Sequence, residues 1–161
     1  MDISRKTDYA LRMLSMLAKD PGSLLSVRTA AEEVGVPYSF ARSIQHGLVQ
    51  AGIIESLRGV RGGMRLKVNP AQVTIRQIVE AVQGPLIMND CMTPEGACYR
   101  QPECCYHPIW AGTQALVNSY LDSVTLDGVV NCRRAPAVDP KFADRSAFTS
   151  YVSCEGCGKT A

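Results

Sequence analysis

Apolar residues recur every three to four positions from Arg5 to Lys19, at Tyr9, Leu11, Met13, Leu14, Met16 and Leu17, and Pro21-Gly22 stops the run. This period predicts a first amphipathic helix. Ser26 is a plausible N-cap for a short second helix through Val34, and Gly35 suits the left-handed position that ends it. Pro37 restarts a helix over residues 38–51, closed by Gly52. Two helices joined across Gly35-Val36-Pro37 read as a helix-turn-helix. The period then changes. Ile53, Ile54 and Leu57 form a short apolar strand, Arg58-Gly59-Val60-Arg61-Gly62-Gly63 a turn, and Met64, Leu66 and Val68 alternate with Arg65 and Lys67. That pattern is a β-hairpin, and a hairpin after such a helix pair is a wing. Thr74-x-x-Gln77 has the form of a capping box ahead of Ile75, Ile78, Val79 and Val82, and Gly84-Pro85 ends that helix.

Beyond it lies a segment without strand period that holds Pro94, Gly96, Pro102 and four cysteines. From residue 107 to 124, Ile109, Trp110, Leu116, Val117, Tyr120, Leu121 and Val124 mark a long helix with few charges. A helix so poor in charge is expected to bury a face against a second long helix. No comparable helix follows, so a symmetric dimer through Trp110, Val117, Leu121 and Val124 is the economical solution. The expected organisation is a winged helix-turn-helix domain over 1–84, a cysteine-rich loop over 85–106, a dimerisation helix over 107–130 and a loose tail over 131–161. The expected fold class is mainly α with a small β-hairpin wing.

Composition agrees with a folded protein: of 161 residues, 46% are apolar and 20% charged. Only 6% are aromatic, which favours a helical core of aliphatic residues over a sandwich. The net charge is +2, but residues 1–84 carry 11 Lys/Arg against 7 Asp/Glu, and residues 85–161 carry 6 against 8. The front half, at +4, is the part suited to a polyanion. The opening MDISRKTDYA lacks an apolar signal core, and the longest uncharged run, Cys104 to Leu121, contains His107, Gln114 and Asn118. These features predict a cytoplasmic protein without a membrane span.

Two constellations carry chemistry. The N-terminal part of the second helix of a helix-turn-helix reaches base edges in the major groove of double-stranded DNA, which nominates Tyr38, Ser39, Phe40, Arg42 and Ser43. Arg58 and Arg61, on a glycine-rich tip, suit phosphate or minor-groove contacts. The second constellation is Cys91-x6-Cys98-x5-Cys104-Cys105-Tyr106-His107. Seven cysteines cannot all pair, and in a cytoplasmic chain they are more often metal or redox ligands than disulfides. Thiolates with an imidazole or carboxylate suit an iron-sulfur cluster or zinc, and the spacings exceed those of common zinc knuckles. A nucleophilic Cys104 or Cys105 with His107 lacks a third orienting group, so an enzyme is not expected. The Cys157-Gly158-Lys159-Thr160 ending has Ser153 where a phosphate loop needs glycine, and Cys154-x-x-Cys157 lacks a following helix.

Thr7-Asp8-Tyr9-Ala10-Leu11-Arg12, Arg58-Gly59-x-Arg61-Gly62-Gly63, the cysteine series running into Pro108-Ile109-Trp110, and Thr125-Leu126 together resemble the IscR/NsrR-type winged-helix regulators, the Rrf-two family. The resemblance spans residues 1–130. It implies a homodimeric transcription regulator, more commonly a repressor, that binds a palindromic operator. It also implies an iron-sulfur cluster that senses iron-sulfur status, nitric oxide, iron or redox state. Cys91, Cys98 and Cys104 occupy the cluster-cysteine positions. The fourth ligand corresponds to His107 in the branch with a 2Fe-2S cluster and to Asp8, reaching from the other subunit, in the branch with a 4Fe-4S cluster; Cys105 is a less favoured ligand. Arg42 stands where the assembly-regulating branch carries an acidic residue, so that branch's operator preference does not transfer. A structural zinc site or a cluster-free thiol redox sensor are the alternatives.

Overall fold

The computed structural model describes residues 2–59, 62–93, 96 and 98–131, with Pro102 described by its backbone only. Among the described residues, six helices and one hairpin follow in order: α1 (Arg5–Lys19), α2 (Val27–Val34), α3 (Tyr38–Gln50), β1 (Ile54–Leu57), β2 (Gly63–Leu66), α4 (Ile75–Gln83), α5 (His107–Ser123) and α6 (Leu126–Asn131). Single 3-10 turns occupy Pro70–Gln72, Asp90–Met92 and Gln101–Glu103. The chain divides into two compact units. One, the head, comprises Asp2–Pro85 and the described chain from Leu121 onward; the other comprises Leu86–Tyr120.

The head forms around the apolar stripes that the sequence pattern predicts. Ala10, Met13, Leu14 and Leu17 of α1 meet Ala30 and Ala31 of α2, Ile44 and Leu48 of α3, Ile78 and Val82 of α4 and Leu126 of α6 in one core. Local chemistry sets the ends of these elements. The Ser26 hydroxyl accepts from Thr29 N–H at 3.0 Å at the start of α2. Gly35 closes α2 with φ 74°, where a side chain would be strained, and Val36 N–H returns to Ala31 C=O at 2.9 Å. Thr74 and Gln77 form the reciprocal capping box of α4. β1 and β2 are antiparallel, with Ile54 opposite Leu66 and Leu57 opposite Gly63. A single bridge from Leu25 to Met64 extends this pair. It requires Gly63, since a Cβ there would stand 2.8 Å from Leu25 C=O.

The stretch read as one helix over 107–130 is two helices. α5 stops at Ser123, and the backbone of Val124-Thr125 runs across Val73–Ile75 instead: Ile75 N–H donates to Val124 C=O and Leu126 N–H to Val73 C=O, both at 2.8 Å. Thr125 then starts α6 by accepting from Gly128 N–H at 3.1 Å. Pairing and cap together outweigh helix propagation at this point, and they place Leu126, 1% exposed, in the head core. Asn131, assigned to the tail from sequence, is the last residue of α6, and residues 132–161 lie outside the described part.

Candidate functional site

Helix α3 turns Ala41, Ile44, Gln45 and Leu48 into the head, which leaves Tyr38, Ser39, Arg42 and Ser43 on its exposed face. Four of the five residues nominated as base readers are therefore open to a groove. Phe40 is the exception: its ring packs edge-on against Tyr9 of α1, centroids 5.9 Å apart, and serves packing. Arg42 Nη1 donates to Gln45 Oε1 at 2.9 Å, and Gln45 Nε2 donates to Ser56 Oγ of β1 at 3.1 Å. Arg28, in the first turn of α2, lies 5.3 Å above the Tyr38 ring and adds a cation to this surface. Sequence reading passed over Arg28 and Gln45; the spacing that puts Gln45 on the buried stripe with Ala41 and Leu48 was its only signal. On the wing, Arg58 is exposed, and Arg65 is neutralised across the hairpin by Glu55. Arg61 lies outside the described residues.

The cysteine segment surrounds a cavity of about 570 Å³ lined by Asn89, Asp90, Cys91, Cys98, Gln101, Cys104, Tyr106, His107 and Trp110. The 3-10 turns at Asp90–Met92 and Gln101–Glu103 fold the loop so that residues sixteen apart in sequence share one wall. Cys91, Cys98, Cys104 and Cys105 are free thiols. Cys105 does not line this cavity; with Tyr99, Arg100, Glu103, Cys104 and Tyr106 it lines a second one of about 470 Å³. Among the described residues no three His, Cys, Asp or Glu side chains converge closely enough to hold one ion.

His107 has a distinctive environment. Its Nδ1 is buried without a hydrogen-bond partner, while its Nε2 lies 3.2 Å from the Gln101 side-chain amide. A half-turn of that amide presents Oε1 to Nε2–H, which leaves the Nδ1 lone pair free. A metal-ligating histidine has this form, with its second ring nitrogen held by a neighbouring acceptor. Asp8, the other nominated fourth ligand, sits on the exposed side of α1 with Oδ2 2.9 Å from Arg12 Nη2.

On α5 only Gln114 is buried. Its Oε1 accepts from Met88 N–H at 2.9 Å, tying the start of the cysteine segment to this helix. Trp110, Val117 and Leu121 are half-buried. Val124, nominated with them, is 7% exposed and belongs to the extended step beside α4, so it offers no face to a partner.

A helix-turn-helix followed by a wing defines a winged-helix DNA-binding head. Residues 3–132 match the Rrf2 family, described as "Iron-dependent Transcriptional regulator". The chain belongs to the Rrf2 family of transcriptional regulators, which are not enzymes. It is 32% identical over 106 residues to the HTH-type transcriptional regulator NsrR of Shouchella clausii, covering 65% of this chain and 71% of that protein. A transcriptional regulator from Listeria innocua superposes with a TM-score of 0.68 at 26% identity, over 86% of this chain and 92% of the other. The oxidized form of Staphylococcus aureus CymR gives 0.64 at 26%, over 84% and 100%. Among the described residues no helix is long and apolar enough to cross a membrane.

Proposed function

We propose that this chain is a homodimeric, cytoplasmic repressor whose grip on a palindromic operator is governed by an iron-sulfur cluster held by Cys91, Cys98, Cys104 and His107. The observation that carries this reading is the buried, partnerless Nδ1 of His107, a residue that lines one cavity together with the three cysteines. A buried polar atom without a partner is costly, and a metal relieves that cost. The donor set, three soft thiols and an imidazole, suits iron in a cluster. The ligands of a cluster are divided among two or more irons, so all four need not converge on one point as the ligands of a single ion do. Asp8 ranks behind His107 as fourth ligand because Arg12 already engages it. When bound, the cluster supplies iron that reacts with oxidants and nitric oxide.

The protein's own residues supply the rest. Tyr38, Ser39, Arg42 and Ser43 face the major groove, and Arg58 and Arg61 of the wing meet phosphates or the minor groove. Trp110, Val117 and Leu121 of α5 pair with the same helix of a second chain; Asp122 is the only Asp, Glu, Lys or Arg in that helix. Two heads in one dimer must engage two half-sites together, so a small change in their relation costs both contacts.

A second reading, a cluster-free thiol sensor, is favoured by the likeness to the oxidized form of CymR and by the neighbouring free thiols Cys104 and Cys105. Anaerobic purification with iron and acid-labile sulfide counts separates the readings. A brown protein with equal iron and sulfide supports the cluster, and its spectrum assigns 2Fe-2S or 4Fe-4S. A colourless, zinc-containing dimer replaces it with a structural metal. A metal-free protein that binds DNA until oxidised replaces it with the thiol sensor.

A further inference from the structure

We infer that Gln45 is the positioning residue for base recognition: buried and unable to touch DNA itself, it aims the Arg42 guanidinium and ties it to the wing. This rests on Arg42 being a base reader, as proposed above.

Gln45 is 4% exposed, on the face of α3 that packs into the head. Its amide orientation is fixed by chemistry. Arginine has donors only, so Gln45 must turn Oε1 toward Arg42 Nη1, 2.9 Å away. Nε2 is then left to donate to Ser56 Oγ, 3.1 Å away in β1. Both halves of the amide are satisfied, and neither rotates without breaking the other's bond. The tether uses one of the five guanidinium N–H groups. The Nε–Nη2 edge stays free, and that edge has the fork geometry that pairs with O6 and N7 of guanine.

An untethered arginine on an exposed helix face samples many rotamers and must be ordered by the DNA itself. Here the ordering precedes binding, and the anchor is a wing residue. The base reader and the wing therefore move as one piece, and a shift of β1 is passed to Arg42 through a single side chain. The tethered guanidinium favours guanine where it lands; a free one would be more permissive.

The test selects preferred sequences from a randomised duplex library with the intact dimer. It then measures affinities for the selected site and for the same site with its preferred guanine changed. Wild type is expected to discriminate by about tenfold or more, the lower range for a bidentate pair. Arg42→Ala loses this discrimination. Gln45→Met, apolar and nearly isosteric, loses most of it, and Ser56→Ala loses part. Gln45→Glu restores it, because a carboxylate still accepts from Arg42 while the Ser56 hydroxyl turns to donate. In Arg42→Ala, adding Gln45→Met changes nothing further, a coupling that a merely structural glutamine would not show. Loss with Arg42→Ala but full discrimination in both Gln45→Met and Ser56→Ala overturns the inference and leaves Arg42 as the reader. Discrimination unchanged by Arg42→Ala removes the reader and the inference together.

Discussion

Replacing His107 with leucine is expected to move the iron-free and iron-loaded proteins in opposite directions. In the iron-free chain, Nδ1 is buried and unpaired, a condition that costs about 1–3 kcal/mol. Leucine removes that cost and keeps an apolar group against Trp110 and Tyr106, which line the same cavity. It forfeits only the contact between Nε2 and Gln101 at 3.2 Å, on an exposed side and at most about 1 kcal/mol. The net gain is up to about 2 kcal/mol, or a few degrees in Tm for a chain of this size. In the loaded chain the same change deletes the proposed fourth ligand, so the stabilisation expected from the bound group shrinks. The assay is anaerobic thermal unfolding of wild type and His107→Leu, each stripped and loaded, with iron counted in parallel. A stripped variant that melts lower than wild type, or a loaded variant that retains full iron and its full rise in Tm, refutes the reasoning.

Leu126→Ala should destabilise the head by about 2–5 kcal/mol in denaturant unfolding, because a side chain 1% exposed in the core is removed. An effect below about 1 kcal/mol would mean that α6 is not part of the head. Arg58→Ala should weaken binding about equally on all DNA sequences and lower the slope of log K against log salt by about 0.9, the value for one phosphate contact. An unchanged slope removes Arg58 from the interface. Val117→Glu on α5 should convert the dimer to monomer in sedimentation, since a charge placed in a helix pair has no partner; an intact dimer would exclude that face.

Elements whose ends are written in side-chain chemistry were legible in the sequence. Ser26, Gly35 and the Thr74/Gln77 box each sit where their chemistry predicts, because caps act within four residues. The hairpin was equally legible from its alternation, although β2 ends at Leu66 and leaves Val68 outside the strand. Events that depend on distant chain were not. The break at Val124-Thr125 arises from pairing with Val73–Ile75, fifty residues earlier, while the apolar period continues across it. Thr125 as a cap was the one local sign. Phe40, nominated for its place near the start of α3, packs toward the core, as its four-residue spacing to Ile44 and Leu48 dictates. A cysteine and histidine donor set was legible from chemistry in this segment. The 3-10 turns that bring Cys91, Cys98, Cys104 and His107 to one cavity carry no periodic signal, and neither does the placing of Cys104 on both cavities and of Cys105 on the second alone.

The most direct test of the account is the affinity of one anaerobic preparation for its selected DNA, titrated before and after the iron is removed under reducing conditions. Coupling between cluster and DNA predicts that affinity for the selected site falls at least fivefold on stripping, the lower range of allosteric coupling, and returns on reconstitution. Equal affinities in the loaded and stripped states, from a protein that holds a full complement of iron and sulfide, would contradict control of the operator by the cysteine-lined site.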